Sequence, residues 1–446
     1  MDILINFIFI FKITKIEFII SNEIKIKMEK KFIDESIKEN NVNIDLNNNE
    51  RESKEIILNF NKYNPSELKQ EIDEQINMDN QKQEDNKENK DRKSKRNYGI
   101  DLLRIISMYL ICIMHVFYGS ILYTVELKST NYFLVWFLET TSYCATDCYA
   151  LISGYVGVSS KYRYANIVYL WLQVEFHSLG ILFISAIIKR EMFTLGEFYD
   201  QVLPITNERY WYFSSYFGLF LVMPYLNYSL NNIPKNIAKW NLILGIIIIT
   251  TFSRLKSNFI YLSNGYSSFW LIILYIVGGY IKKFEPFKNI KKLYLILIWI
   301  FCIIISWIVK ISIEVYKEED STGDLFISYL SITILIVAVI MLELFSRINF
   351  NKKPKIIEIL AATSFGVYIV HTHTVIANWC NKRFTPFNDY NPILFVLATI
   401  GTSLTMYVAS TIIDYLRYRL FELIKLRKFL LKMEEKFNKK FIDVEI

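Results

Sequence analysis

The chain has 446 residues, 52% of them hydrophobic, with 33 Phe and 30 Tyr against only 14 Gly. Its apolar residues gather in runs of about 17–25, the length that crosses a bilayer core of roughly 30 Å, which excludes a string of soluble globular domains. The formal charge of +7 lies in short loops and a basic tail, so it reads as membrane topology and not as a nucleic-acid surface.

Residues 1–96 stand apart from the rest. The opening ILINFIFIF is interrupted by Lys12, Lys15 and Glu17 and lacks the basic start and small-residue cleavage site of a signal peptide. It reads as a weak interfacial helix or a leader before Met28. The following Asn-, Lys- and Glu-rich stretch ends in QKQEDNKENKDRKSKR. That composition cannot bury enough apolar area to offset chain entropy, so residues 1–96 are expected to form a disordered cytoplasmic arm.

From Tyr98 the pattern predicts about ten transmembrane helices, at 100–123, 132–156, 165–187, 211–227, 239–253, 268–283, 292–314, 325–347, 358–379 and 392–416. Lys and Arg concentrate before helix one, after helices two, four, six and eight, and in the tail. This positive-inside bias puts both termini in the cytoplasm, as an even number of spans requires. The fold class is therefore an all-α polytopic membrane protein, multi-pass in the cell membrane. Residues 97–424 form the transmembrane domain, and residues 425–446 form a basic amphipathic tail on the inner leaflet. The five cysteines make no CxxC or Cys/His cluster, so neither a disulfide framework nor a metal site is expected. Cys144 and Cys148 read as packing residues.

Charged side chains inside a membrane helix cost at least ~2.5–3.5 kcal/mol each on insertion scales, so helix one, NYGIDLLRIISMYLICIMHVFYGS, calls for a reason. Asp101 and Arg104 stand at i, i+3 and can pair. Snorkelling would account for Arg104 alone, but not for His115. The eleven residues from Arg104 to His115 turn through about 1100°, only ~20° from the same helix face, and rise roughly 16 Å. One face thus offers a cation near the cytoplasm, suited to a phosphate, and deeper in an imidazole suited to general-base work. The separation is comparable with the reach of a pantetheine arm.

Here the chain resembles the membrane acyltransferase 3 family, which includes surface-polysaccharide O-acetyltransferases. The family pattern is an Arg, ten residues, then a His in the first core helix, as in Arg104 and His115. CYALISGYVGV (148–158) resembles its Ser-Gly-Tyr segment, RYWYFSSYFGLFLVMPYLN (209–227) its aromatic lead-in to helix four, ATSFGVYIVHTH (362–373) its late Phe-Gly-Val-Tyr…His segment, and IDYLRYRLFELI (413–424) its closing helix. The resemblance spans residues 97–428. It implies transfer of an acyl group, by default acetyl, from cytoplasmic acyl-CoA to a hydroxyl of a surface glycan or glycolipid. Acyl-CoA is then a co-substrate, with no tightly bound cofactor. His115 would deprotonate the acceptor or carry the acyl group, and Arg104 would hold a CoA phosphate or orient the thioester. The family's Arg-x-x-Arg pair after helix two is replaced by SSKYRYAN, leaving Lys161 and Arg163 for the CoA phosphates; ordinary topology explains these two equally well.

Supporting positions follow from depth and spacing. His371 lies at the level of His115 and is expected in the same cavity, while His373, two residues on, is expected at the interface. Glu139, Asp147, Glu175, His177 and Asp414 are ionisable at depth; Asp147, near Ser153-Gly154-Tyr155, is the favoured orienter of His115. Gly154 reads as close helix packing. Trp211 offers a platform for sugar or CoA, although interfacial aromatic belts would place it there too. A transporter or flippase of a glycan lipid is the competing function. Against it, no internal repeat and no matched pair of broken helices is visible.

Overall fold

The computed structural model describes residues 96–190, 194–205, 209–255, 262–319, 322–350 and 352–441. The expectation of a disordered arm at residues 1–96 falls, but for Arg96, outside the described residues. The described residues belong to one unit, helical and without strand among them. Its α-helices run α1 Tyr98–Phe117, α2 Thr130–Ser142, α3 Ala145–Gly157, α4 Tyr164–Ile188, α5 Leu195–Val202, α6 Trp211–Asn232, α7 Lys235–Leu255, α8 Ser268–Phe284, α9 Lys292–Lys317, α10 Ile332–Ser346, α11 Lys355–Thr372, α12 Thr374–Cys380, α13 Pro392–Leu423 and α14 Leu426–Phe441.

Six of these, α1, α4, α7, α9, α11 and α13, are long and apolar enough to cross a membrane; α10 is as apolar but shorter. Their outward faces carry Leu297, Phe301, Leu404 and Leu416, each half-exposed or more. In water such a surface would be a liability, whereas hydrocarbon accepts it, and the helical backbone satisfies its own polar groups.

Helix α1 is the centre of the packing, touching α2, α3, α10, α11 and α13. Asn97 starts it by accepting from the backbone N–H groups of Gly99 and Ile100. Gly99 permits contact with the end of α10, since a Cβ there would stand 2.0 Å from the Phe345 carbonyl oxygen. The Gly154 expectation also holds. A Cβ on Gly154 would lie 1.9 Å from the Tyr275 oxygen, and one on Gly278 would lie 2.0 Å from the Leu151 oxygen, so α3 and α8 meet backbone to backbone.

Two expected helices are broken. The span predicted at 132–156 divides at Tyr143–Cys144 into α2 and α3, although both residues keep right-handed helical angles. The sequence there has no Gly or Pro to announce a break. The span predicted at 358–379 divides at His373, whose ψ of 134° ends α11 and whose imidazole caps α12 through the Val375 N–H. Cys144 and Cys148 are free and fully buried, as packing residues should be.

Candidate active site

On α1, Met108, Ile111 and His115 line one wall of a cavity of about 750 Å³, and Arg104 continues the same stripe toward the Asn97 end. The cavity is also lined by Tyr149 of α3, Trp211 and Tyr212 of α6, and Tyr368 of α11.

His115 has a partner. His371 Nε2 lies 3.1 Å from His115 Nδ1, and the rings meet edge to face at 4.8 Å between centroids. Each ring also faces a carbonyl one turn back: His371 Nδ1 is 2.6 Å from the Val367 oxygen, and His115 Nδ1 is 3.0 Å from the Ile111 oxygen. A carbonyl only accepts, so both Nδ1 atoms carry the proton. The neutral His371 then has its lone pair on Nε2, where it receives the shared His115 Nδ1–H. That leaves His115 Nε2 as the unprotonated nitrogen, with no hydrogen bond among the described residues. It is the position a general base needs. His371 is buried and fixes the tautomer from behind. His371 meets His115 directly, as equal depth on the two helices implied, but it stands behind His115 and is not among the residues lining the cavity.

At the other end of the stripe, Arg104 Nη1 bonds Asp101 Oδ1 at 3.2 Å, and Asp101 is itself buried and bonded by Arg96. Asp101 steadies the arginine as its spacing implied. The Tyr149 hydroxyl donates to the Arg104 carbonyl at 3.0 Å, tying α3 to α1 between the two charges. Arg104 is part-exposed.

Residues 97–413 match a sequence-family model described as an acyltransferase domain. The chain belongs to the acyltransferase 3 family. Comparison with curated proteins and with solved structures returns no match. As a member of this family it is a membrane acyltransferase with several apolar helices.

The remaining expected residues of this acyltransferase divide between the cavity and elsewhere. Trp211 lines the cavity, stacked on Tyr329 at 6.0 Å and against Tyr266 at 4.6 Å. Ser153 does not line it: its hydroxyl donates to the Tyr149 carbonyl of its own helix. Tyr155 is also outside, under the Lys282 ammonium at 4.9 Å. Asp147 does not orient His115; its carboxylate accepts from Trp270 Nε1 at 3.1 Å, because α3 turns that face toward α8. His373, expected at the interface, is buried in the bundle and held by the Ser178 carbonyl at 3.2 Å. His177 and Asp414 bond each other at 2.6 Å, away from His115. Lys161 is exposed, and Arg163 faces Glu435 of α14 at 3.9 Å. Next to it, Glu434 caps the first N–H of α4 at 2.7 Å, so the tail helix lies against the loop expected to meet CoA phosphates.

One group in the acyltransferase was not foreseen. Lys310, with no exposed surface, bonds Glu314 one turn on and Asp324 at 2.6 Å, and its ammonium sits 3.5 Å from the centre of the Trp136 ring. The Tyr132 hydroxyl closes the group by donating to Glu314. Burial raises the affinity of the Asp324 carboxyl for its proton, and the Lys310 ion pair opposes that. An i, i+4 Lys–Glu pair within an apolar helix was the available signal. Trp136, Glu139 and Asp324 all line the cavity near Tyr118 and Tyr123.

Proposed function

We propose that this acyltransferase moves an acyl group, acetyl by the habit of its family, from acyl-CoA to a hydroxyl of a glycan or glycolipid across the cell membrane. In this reading all ten apolar segments span, both termini are cytoplasmic, and the cavity opens on the outer side. The observation that carries it is His115 on the wall of a large cavity, backed by His371, with Arg104 three turns below on the same helix face.

The acceptor hydroxyl enters from the cavity and gives its proton to His115 Nε2. The oxygen attacks the thioester carbonyl, the tetrahedral adduct collapses, and the C–S bond breaks. The departing CoA thiolate takes the proton back from His115, leaving the imidazole neutral. As His115 becomes an imidazolium, its Nδ1–H bond to the His371 lone pair strengthens, since hydrogen bonds to charged groups exceed neutral ones. Arg104 supplies a fixed fork for a CoA phosphate or the thioester, and its pairing with Asp101 keeps it directed along the stripe. Lys161 and Arg163 add positive charge at the same end.

The test is acyl transfer by the full chain in vesicles, read as free CoA thiol and as acyl ester on glycan. His115→Ala is expected to lower turnover about 10³-fold, the usual worth of a placed general base, with the helical fold unchanged. Wild-type transfer rates in that variant would overturn the assignment.

A further inference from the structure

A second cavity, sharing no residue with the first, lies where α6, α7 and α8 meet. It holds about 270 Å³ and is lined by Leu230 and Ile233 of α6, Leu242 and Ile249 of α7, and Ile273 and Ile276 of α8. Among its described lining residues only Ser229 and Asn241 carry polar side chains. The lining runs along α7 from Ala238 to Ile249, a rise of roughly 16 Å. That is about half of a bilayer core, the depth of one leaflet.

The chain leaves this space open. α7 is the least buried of the six helices long and apolar enough to span. Gly245 sits in mid-α7 on the wall, and a Cβ there would meet nothing within 4 Å. A glycine inside a helix weakens it relative to alanine. At Gly154 and Gly278 a neighbouring backbone requires one, but at Gly245 none does. Its effect is to widen the groove. Water suits the space poorly, because a buried water needs about two to four polar partners. An empty groove would forfeit dispersion contacts along its whole wall. A lipid acyl chain meets both conditions.

One end of the groove is basic. Leu230 lines it, and the Leu230 carbonyl accepts from Lys283 Nζ at 2.7 Å. An ammonium has further donors to give, and Lys283 is exposed. Lys235 opens α7 one turn before Ala238, at the helix end that favours an anion. From Trp211 to Leu255 the α6–α7 hairpin holds no acidic residue, and Glu285, just beyond α8, is paired with Lys288 at 3.1 Å.

We propose that this groove binds one acyl chain of an anionic phospholipid, with the headgroup phosphate at Lys283 and Lys235. The lipid fills the space between α7 and the bundle that side chains leave. The site does not rest on the acyl-transfer reading; only its placement in the inner leaflet rests on the topology proposed above.

The experiment is native mass spectrometry of the full chain, purified in detergent, stripped of lipid and given equal amounts of dioleoyl phosphatidylglycerol and dioleoyl phosphatidylcholine. One phosphatidylglycerol is expected to be held about tenfold in excess over phosphatidylcholine, as two lysines beside a phosphate demand. Gly245→Leu fills the groove and is expected to lower retention of both lipids about tenfold. Leu242→Trp fills it from a second position, with the same expected result, and serves if Gly245→Leu does not fold. Lys283→Met is expected to cut the phosphatidylglycerol preference several-fold and leave phosphatidylcholine retention unchanged. Gly401→Leu is the control: a Cβ there also meets nothing within 4 Å, but it lies on α13, outside the groove, and lipid retention is expected to be that of the wild type. Undiminished retention in folded groove-filling variants, phosphatidylcholine held as tightly as phosphatidylglycerol, a preference indifferent to Lys283→Met, or an equal loss in Gly401→Leu would overturn the site. None of these outcomes depends on turnover, so failure of the lipid site leaves the transferase reading standing, and the reverse.

Discussion

Two of the buried polar clusters among the described residues differ in their pairing. In the first, Asp414 accepts from Arg417 Nε at 2.9 Å and Nη2 at 2.7 Å, from His177 at 2.6 Å and from Gln173 at 3.3 Å, while Arg417 Nη1 reaches the Tyr169 hydroxyl at 3.2 Å. Each charge has its counterpart, and Gly366 of α11 leaves space for the carboxylate, where a Cβ would come 2.0 Å from its carbon. In the second, beside the cavity, Glu139 Oε2 and Trp136 Nε1 are buried without a partner among the described residues, and His115 lines the void. A fully paired network in a low-dielectric interior fixes helices, whereas buried polar groups left unpaired are costly. The residue types overlap, since both hold a histidine and a carboxylate; pairing tells them apart.

The sharpest way to break this comparison is Asp414→Ala. It strands the Arg417 guanidinium, at a cost of about 3–5 kcal/mol, and is expected to appear as lost thermal stability in detergent. A normally stable Asp414→Ala protein that loses only turnover would move this cluster into the chemistry. Next comes His371→Ala. It removes one hydrogen bond to a developing charge, about 1.5–3 kcal/mol, so kcat is expected to fall about 10–100-fold with KM for acyl-CoA unchanged. A change in KM alone would make His371 a binding residue. Arg104→Ala is expected to raise KM for acyl-CoA about tenfold through loss of a charge-assisted contact, with the melting temperature little moved; unaltered acyl-CoA kinetics would remove it from the donor site. Smallest is Arg163→Gln, whose long ion pair with exposed Glu435 is worth under about 1 kcal/mol. Near-wild-type stability is expected, and a large loss would mean that α14 docks through this pair.

Much of this was legible in the sequence. Every predicted apolar segment overlaps a helix of the structure, because length and apolarity are what a bilayer reads. The Arg104–His115 stripe was legible because helical periodicity is local, and His371 followed from depth counted along two helices. What escaped was set by neighbours. Asp147 is drawn to Trp270 by the rotation of α3 on α8, where Gly154 and Gly278 allow backbone contact. The burial of His373 was not legible, because α11 ends one residue before it and the ring packs against α4. The division of α2 from α3, which helps place Trp136, Glu139 and Thr146 around one void, has no sequence marker.

The carbonyl contacts of the two histidines have a kinetic consequence. Both rings are pinned through Nδ1 to the helices that bear them, so neither turns over during a cycle, and His115 meets every substrate with the same single nitrogen. In the proposed reaction that nitrogen takes a proton from the hydroxyl in the same event in which the thioester is attacked. Donor and acceptor are then present together, and initial-rate plots against the two substrates are expected to intersect instead of running parallel as a ping-pong exchange, with His115 carrying the acyl group, would make them.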